Sequence, residues 1–474
     1  MKEPQLYRVG TLTYTKSALG RLYFWLLWGD FTYFMVESVV PSAIPLKFKH
    51  LDASNFLMGI VLATVPKIIG GIFNPVVSFR SDRFRSRWGR RIPFIAATMP
   101  FLVLCFLGLA FVDDIGPWLG RTFPALGHTF TNNILILIVL SIFLIAFDFF
   151  NTFVTSVFWY LFNDVVPEQL ISRFTSWFRM VIMVTGMLYN ELVFPYVESH
   201  FKEIFIGAAV LYFFGFGSMC LFVKEGEYPP PPQNTDGATG PVAALKTYAR
   251  ECMTLPHYWY LFLIGIFGTL AGACGMFSIF FQKITMGLNL HQIGWLAVAG
   301  AITCFFCVPV AGWMGDRFHP IRVVLWGTIL AWVVSPINFI WLFWRPDPWT
   351  FYYCSLAQTV FLGCPIGMMC QMDFPMLMRL LPKERFGQYS SCRVLLTSIV
   401  GIFSGALGGA FLDIMTKHYG EKTAYCFIPF WSFVFSTASL FFMYKLYVSW
   451  KYYGGDESYV PPMPVRAPKA SVTA

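Results

Sequence analysis

The sequence predicts an all-α integral membrane protein with twelve transmembrane helices in two six-helix parallel repeats. Three observations predict it. Hydrophobic residues make up 57% of the 474, and mean hydropathy is +0.60. Apolar runs bounded by charges or turn residues recur twelve times along the chain. A short motif returns at the same topological position in each half. A membrane-crossing helix uses about 20 mostly apolar residues, so twelve use about 240, which this composition supplies. Charged residues are 12%, about half the ~25% of soluble domains. That excludes an ordinary soluble enzyme, a disordered chain and a nucleic-acid binder. The net charge of +9 reflects the Lys and Arg that membrane proteins collect on their cytoplasmic side.

The twelve spans are expected near 22–45, 54–79, 92–112, 133–163, 174–197 and 203–223, then 258–282, 292–315, 323–344, 350–378, 388–412 and 423–446. The expected domains are an N-terminal half (1–223), a linker (224–257), a C-terminal half (258–450) and a tail (451–474). The linker holds the Pro-rich polar string KEGEYPPPPQNTDGATGP. VAALKTYARECM after it is expected to form a short amphipathic helix on the membrane surface. Lys2, Arg8, Lys16 and Arg21 precede a first apolar segment that is too long for a signal-peptide core and lacks an A-x-A site. With the N-terminus inside, that side carries 23 Lys and Arg, the opposite side 8, and the spans 3. Both termini are therefore expected to be cytoplasmic in the cell membrane.

Most of the 11 cysteines lie in apolar runs, which argues against a disulfide framework. The C-x-x-C of Cys304 and Cys307 sits in ITCFFCVPV and reads as packing. No metal or other cofactor is expected.

NPVVSFRSDRF (74–84) aligns without gaps to VPVAGWMGDRF (308–318), with Asp82, Arg83 and Phe84 over Asp316, Arg317 and Phe318. Each copy ends the second helix of its half. A weaker match links VVPEQLISRFTSWFR (165–179) to LLPKERFGQYSSCR (380–393). Two six-helix halves of the same orientation resemble the major facilitator superfamily fold. The string SDRFRSRWGRRIPFI (81–95) resembles a loop signature of plant sucrose transporters and their animal and bacterial relatives. It is also similar to the loop of the glycoside–pentoside–hexuronide:cation symporters. ATVPKIIGGIFNP (63–75) and FDFFNTFVTSVFWYLFND (147–164) resemble the second and fourth helices of the sucrose transporters. The resemblance implies a sugar or glycoside symporter driven by a cation gradient. Trp159 stands where the sucrose transporters have Arg, and Thr152 where they have a second Asn, so sucrose itself is not implied. Gly70 and Asn74 stand where sodium-coupled relatives carry acids, which leaves the proton as the coupling ion.

A charge in the bilayer core costs several kcal/mol, so each ionisable residue there is a functional candidate. Asp148, Glu37 and Asp30 are the expected proton-coupling acids, with Lys67 and Arg179 as counter-charges. Glu37 and Lys67 lie 15 residues either side of Asp52 in the first hairpin and so at equal depth. Arg179 falls at about the level of Asp30. Asn151 follows Asp148 by three and shares its face. An acid beside an amide suits two-point binding of sugar hydroxyls. The expected substrate-binding set is Asp148, Asn151, Asn74, Trp28, Trp159, Asn190, Asp373 and Arg393, with Tyr33 and Tyr160 as further rings for stacking. All seven histidines fall in loops or at helix ends, which argues against a histidine proton relay.

The gating set is Asp82, Arg83, Arg87, Gly89, Arg90, Arg91, Asp164, Asp316 and Arg317, at the ends of helices that must change partners when access switches. The function expected is proton-coupled symport of a sugar or glycoside by alternating access, in a monomer whose partners are a small-molecule substrate, the proton and the lipid bilayer. The alternatives are a proton-driven efflux carrier for an amphipathic molecule and a non-transporting membrane sensor. The loops carry no metal-ligand spacing and no nucleophile–base pair, so an enzyme is not expected.

Overall fold

The structure is a computed structural model that describes residues 7–9, 11–167, 170–227, 252–382 and 386–462. A small hairpin, β1 (Tyr7–Val9) and β2 (Leu12–Tyr14), precedes the helices. The first helix, α1 (Lys16–His50), starts at Thr15, whose side chain accepts from the Ala18 N–H. The helix α2 (55–83) starts at Ser54, which accepts from Leu57, and includes a π-turn at Ile60–Thr64. The N-terminal half continues with α3 (Ile92–Ala110), α4 (Asn132–Val165), α5 (Ile171–Leu192) and α6 (Phe201–Phe222). The C-terminal half holds α7 (Pro256–Thr285), α8 (Leu290–Phe318), α9 (Pro320–Phe343), α10 (Pro348–Leu380), α11 (Phe386–Tyr419) and α12 (Ile428–Tyr452). The expected amphipathic helix after the linker falls almost wholly outside the described residues.

Among the described residues, ten helices are long and apolar enough to cross a membrane. The remaining two of the twelve, α1 and α5, have the length (35 and 22 residues) but carry the internal charges. Asp30 and Glu37 interrupt α1, and Arg179 and Glu191 interrupt α5. At 1.5 Å per residue α1 is about 52 Å long, so it extends past the expected 22–45 at both ends. Residues 113–132, expected as a loop, contain two short helices, Val112–Thr122 and Pro124–Thr129.

The chain divides into two compact units, 1–233 with 289–301, and 234–288 with 302–474. Phenylalanine does two jobs. In the first unit Phe106, Phe158, Phe174, Phe205 and Phe216 are fully buried, and the Tyr33 ring packs 5.3 Å from Phe158 and 5.7 Å from Phe216. Others face outward, Phe343 and Phe361 being 89% and 76% exposed. Exposure of that kind along apolar helices suits lipid contact and not water. The second unit's core gathers Tyr258, Phe262, Tyr389, Met443 and Trp450 from α7, α11 and α12.

The two copies of the repeated motif end α2 at Arg83 and α8 at Phe318, and the weaker repeat opens α5 and α11. After the first copy the chain turns at Gly89, whose φ of 101° favours glycine.

Candidate functional site

The first unit's polar site is built on α4. Asp148, Asn151, Thr152, Thr155 and Ser156 fall at helical spacings of three and four, so they form one stripe on an otherwise apolar helix. That stripe meets α1 and α2. Asn151 Nδ2 donates to Glu37 Oε1 at 2.5 Å. The Tyr33 and Thr155 hydroxyls lie 3.2 Å apart. Ser156 Oγ donates to Asn74 Oδ1 at 2.5 Å. Glu37, Asn151 and Asn74 are therefore brought together as expected candidates by three helices. Asp148 lies one turn from the Glu37 contact, and its Oδ2 is buried without a hydrogen-bond partner among the described residues. Asp30 is 0% exposed, and neither of its carboxylate oxygens has such a partner.

Both expected counter-charges are exposed. Arg179 is exposed on α5 while Asp30 is fully enclosed, so the two do not pair. Lys67 is exposed on α2, and Glu37 is held by the Asn151 amide. Equal depth along two helices says nothing about which way each side chain faces, and Asp30 and Arg179 face differently. Trp28 stacks on Phe31 at 5.8 Å. Asn190 Nδ2 donates to Gly186 O at 2.8 Å. Trp159 continues the α4 stripe by position, but its side chain lies outside the described set, as does that of Asp82.

Sequence reasoning passed over Thr155 and Ser156. Their signal was present: hydroxyls at the fourth and eighth positions after Asn151 and Asp148 extend the same face.

In the second unit Arg393 and Asp373 form a two-pronged ion pair, with Nη1 to Oδ2 at 2.8 Å and Nη2 to Oδ1 at 3.1 Å. It lies in a cavity of about 750 Å³ between α7, α9, α10, α11 and α12.

At the end of the first unit that carries the 84–91 loop, the gating candidates form a network. Asp164, closing α4, accepts from Arg90 Nε (2.9 Å), Arg90 Nη2 (2.5 Å) and Arg91 Nε (3.0 Å). Arg91 also donates to Ser81 and lies over the Tyr160 ring at 5.0 Å. Glu225, just past α6, was not expected. Its carboxylate accepts the backbone N–H groups of Arg90, Arg91 and Ile92 at 2.9, 2.8 and 2.7 Å, capping α3 from a distant part of the chain. Gly89 allows this, since a Cβ there would lie 2.4 Å from Glu225 Cδ. Arg83 is half-buried, and Arg87 lies 5.9 Å from the Trp88 ring.

The second unit's copy is looser. Asp316 is 86% exposed and meets Arg379 Nη2 at 3.5 Å, and Arg317 lies over Trp313 at 5.2 Å. Past it, His319 adopts φ 66°, and its Nδ1 accepts from Ile321 N–H to start α9. Burial and the nearby Arg379 and Arg322 push the His319 imidazole down to about 4, against an opposing pull from Asp456.

The profile of the MFS/sugar transport protein family matches residues 48–381. Among curated proteins no relative matches. Several solved structures share the fold. A bacterial homologue of the iron transporter ferroportin superposes with a TM-score of 0.65 at 14% identity, covering 90% of this chain and 99% of its own. A bacterial homologue of the human lysosomal transporter Spinster gives 0.62 at 12% identity, covering 92% and 99%. A D-xylose–proton symporter gives 0.57 at 14%, covering 90% and 97%. With twelve apolar or charge-interrupted helices and that match over most of its length, the chain belongs to the MFS/sugar transport protein family and is a multi-pass membrane transporter, not an enzyme.

Proposed function

We propose that this chain carries a sugar or glycoside across the cell membrane together with a proton, by alternating access, with both termini cytoplasmic. The family's description as sugar transport protein supports the substrate class. The structural neighbour named as a D-xylose–proton symporter is compatible with the same pairing of cargo and ion. The observation that carries the reading is Asp148, an acid with one buried, unpartnered oxygen, one turn from an acid–amide contact. An unpaired carboxylate in a membrane interior costs several kcal/mol, and binding a proton removes that cost. A site that closes over Asp148 therefore takes up a proton, and one that opens to water releases it. Asn151 and Glu37 then offer a donor and an acceptor to sugar hydroxyls. Asp30 is a second proton acceptor on α1. The Arg90–Arg91–Asp164–Glu225 network serves as a latch that is remade when access switches, and Asp82, Arg83, Asp316 and Arg317 are assigned to the same gating by their place in the two motif copies.

Asparagine has the shape of a neutral carboxyl but carries no titrating proton. Asp148→Asn should abolish sugar accumulation driven by a pH gradient in proteoliposomes while leaving counterflow exchange. Glu37→Gln is the comparison. If Asp148→Asn still accumulates sugar against its gradient, the proton site is not Asp148.

A further inference from the structure

The cavity of the second unit has a chemistry of its own. Arg393 spends both terminal nitrogens on Asp373, which neutralises its charge. Its Nε is buried and has no hydrogen-bond partner among the described residues. A buried donor left unmade costs about 1–3 kcal/mol, so the cavity lacks one acceptor. Four of the six hydroxyls on the wall are committed the other way. Thr269 donates to Gly265 O (2.9 Å), Thr328 to Val324 O (2.7 Å), Thr397 to Arg393 O (3.0 Å) and Ser439 to Ile264 O (3.4 Å). Each has given away its single proton and offers only lone pairs. Asp373, about one-third exposed, has lone pairs to spare as well. Ser390 and Ser436 also line the cavity, so the wall presents the Arg393 Nε donor, two hydroxyls that can donate or accept, several acceptors and no net charge.

The floor is open. That holds at Gly268, where a Cβ would meet nothing within 4 Å, whereas at Gly265 a Cβ would lie 2.8 Å from Thr397 Cγ2 and 3.3 Å from Arg393 Nε. The volume of about 750 Å³ is within the roughly 300–1,000 Å³ of ordinary ligand pockets.

We propose that this cavity binds a neutral polyhydroxylated molecule, in which one hydroxyl of a vicinal diol accepts from Arg393 Nε and its neighbour donates to Asp373. Many donors on the ligand match many acceptors on the wall. An anion is rejected, because Asp373 already holds the guanidinium and a second carboxylate beside it is repelled. This deepens the sugar-transport reading by naming the cargo as uncharged, and it stands on binding alone.

Cys370 lines the cavity and is half-buried, so its alkylation reports occupancy. The experiment uses the full chain in lipid nanodiscs, N-ethylmaleimide, and site-resolved mass spectrometry, with exposed Cys354 as the internal reference. The probes are glucose, xylose, sucrose and inositol, against glucuronate, which keeps the glucose ring but carries a carboxylate. At least one neutral probe should slow Cys370 alkylation about threefold at about twice its dissociation constant, with Cys354 unchanged. Glucuronate should leave both rates unchanged. Gly268→Leu places a side chain in the open space and should remove the protection. Arg393→Lys keeps the charge but loses Nε, and it should do the same. The proposal is overturned if no neutral probe protects Cys370, if glucuronate protects as well as glucose, or if Gly268→Leu leaves protection intact. Gradient-driven accumulation without Cys370 protection would overturn this inference and leave the transport reading standing. Protection without accumulation would do the reverse.

Discussion

Asp164 gives the most demanding test of the network at the 84–91 loop. Asp164→Asn removes one negative charge and replaces one acceptor oxygen by an NH₂ group facing two guanidinium groups. Arg91 is 4% exposed, Arg90 20% and Asp164 11%. Removing one partner from a buried ion pair costs about 3–5 kcal/mol, because the other charge is stranded. The Glu225 carboxylate, bonded to the backbone of the same two arginines, softens the loss, so the low end applies, about 3 kcal/mol. At roughly 2–4 °C per kcal/mol for a unit of this size, the melting temperature should fall by roughly 6–12 °C. Asp316→Asn is the control. Its partner is 3.5 Å away and its side chain is 86% exposed, and exposed pairs contribute about 0–1 kcal/mol. Thermal unfolding of the purified protein, followed by tryptophan fluorescence, measures both. If Asp164→Asn melts within a degree or so of the parent, or if Asp316→Asn falls as far, the network is not holding the first unit together as argued.

Two further outcomes concern the helix termini. Glu225→Ala leaves the N–H groups of Arg90, Arg91 and Ile92 at the start of α3 to water and should cost about 2 kcal/mol, while Glu225→Gln, which keeps an acceptor, should cost less than half of that; equal melting of the two would remove the cap from the account, and loop proteolysis at 84–91 checks the same point. His319 is neutral when it caps α9, and its imidazole is held down to about 4. Above about pH 6.5 both folded and unfolded chains are uncharged there. As pH falls from that value toward 4 the unfolded chain gains a proton first, so stability should fall across that window. His319→Asn tolerates positive φ and still caps, and it should flatten that part of the pH profile of thermal unfolding; an unchanged slope would assign the pH dependence to other groups.

Much of the fold was legible because bilayer physics leaves few options. A chain with this many apolar runs must cross as helices, and the repeated Asp-Arg-Phe locates the ends of α2 and α8. The periodic signal also carried part of the site, since Asp148 and Asn151 are three apart on one helix and Asn151 does meet Glu37. Azimuth between helices was not legible. Asp30 and Arg179 share a depth, yet one is enclosed and the other faces out. Nor was Glu225 legible, because its partners are backbone N–H groups 133–135 positions away. No side-chain pattern announces a contact made to the main chain.

The two motif copies differ in role because different residues come after them. Asp-Arg-Phe ends a helix in both. In the first copy the next residues are RSRWGRR, and Gly89 at φ 101° lets the chain turn tightly enough to bring two arginines onto Asp164 and three N–H groups onto Glu225. In the second copy the next residues are HPIR. Pro320 supplies no N–H and opens α9 at once, and His319 takes the positive φ and the cap in a single residue. No room remains there for a loop of arginines, and among the described residues Asp316 meets an exposed Arg379. Charge beside the first copy is thus buried, with Arg91 4% exposed, and charge beside the second lies open, with Asp316 86% exposed.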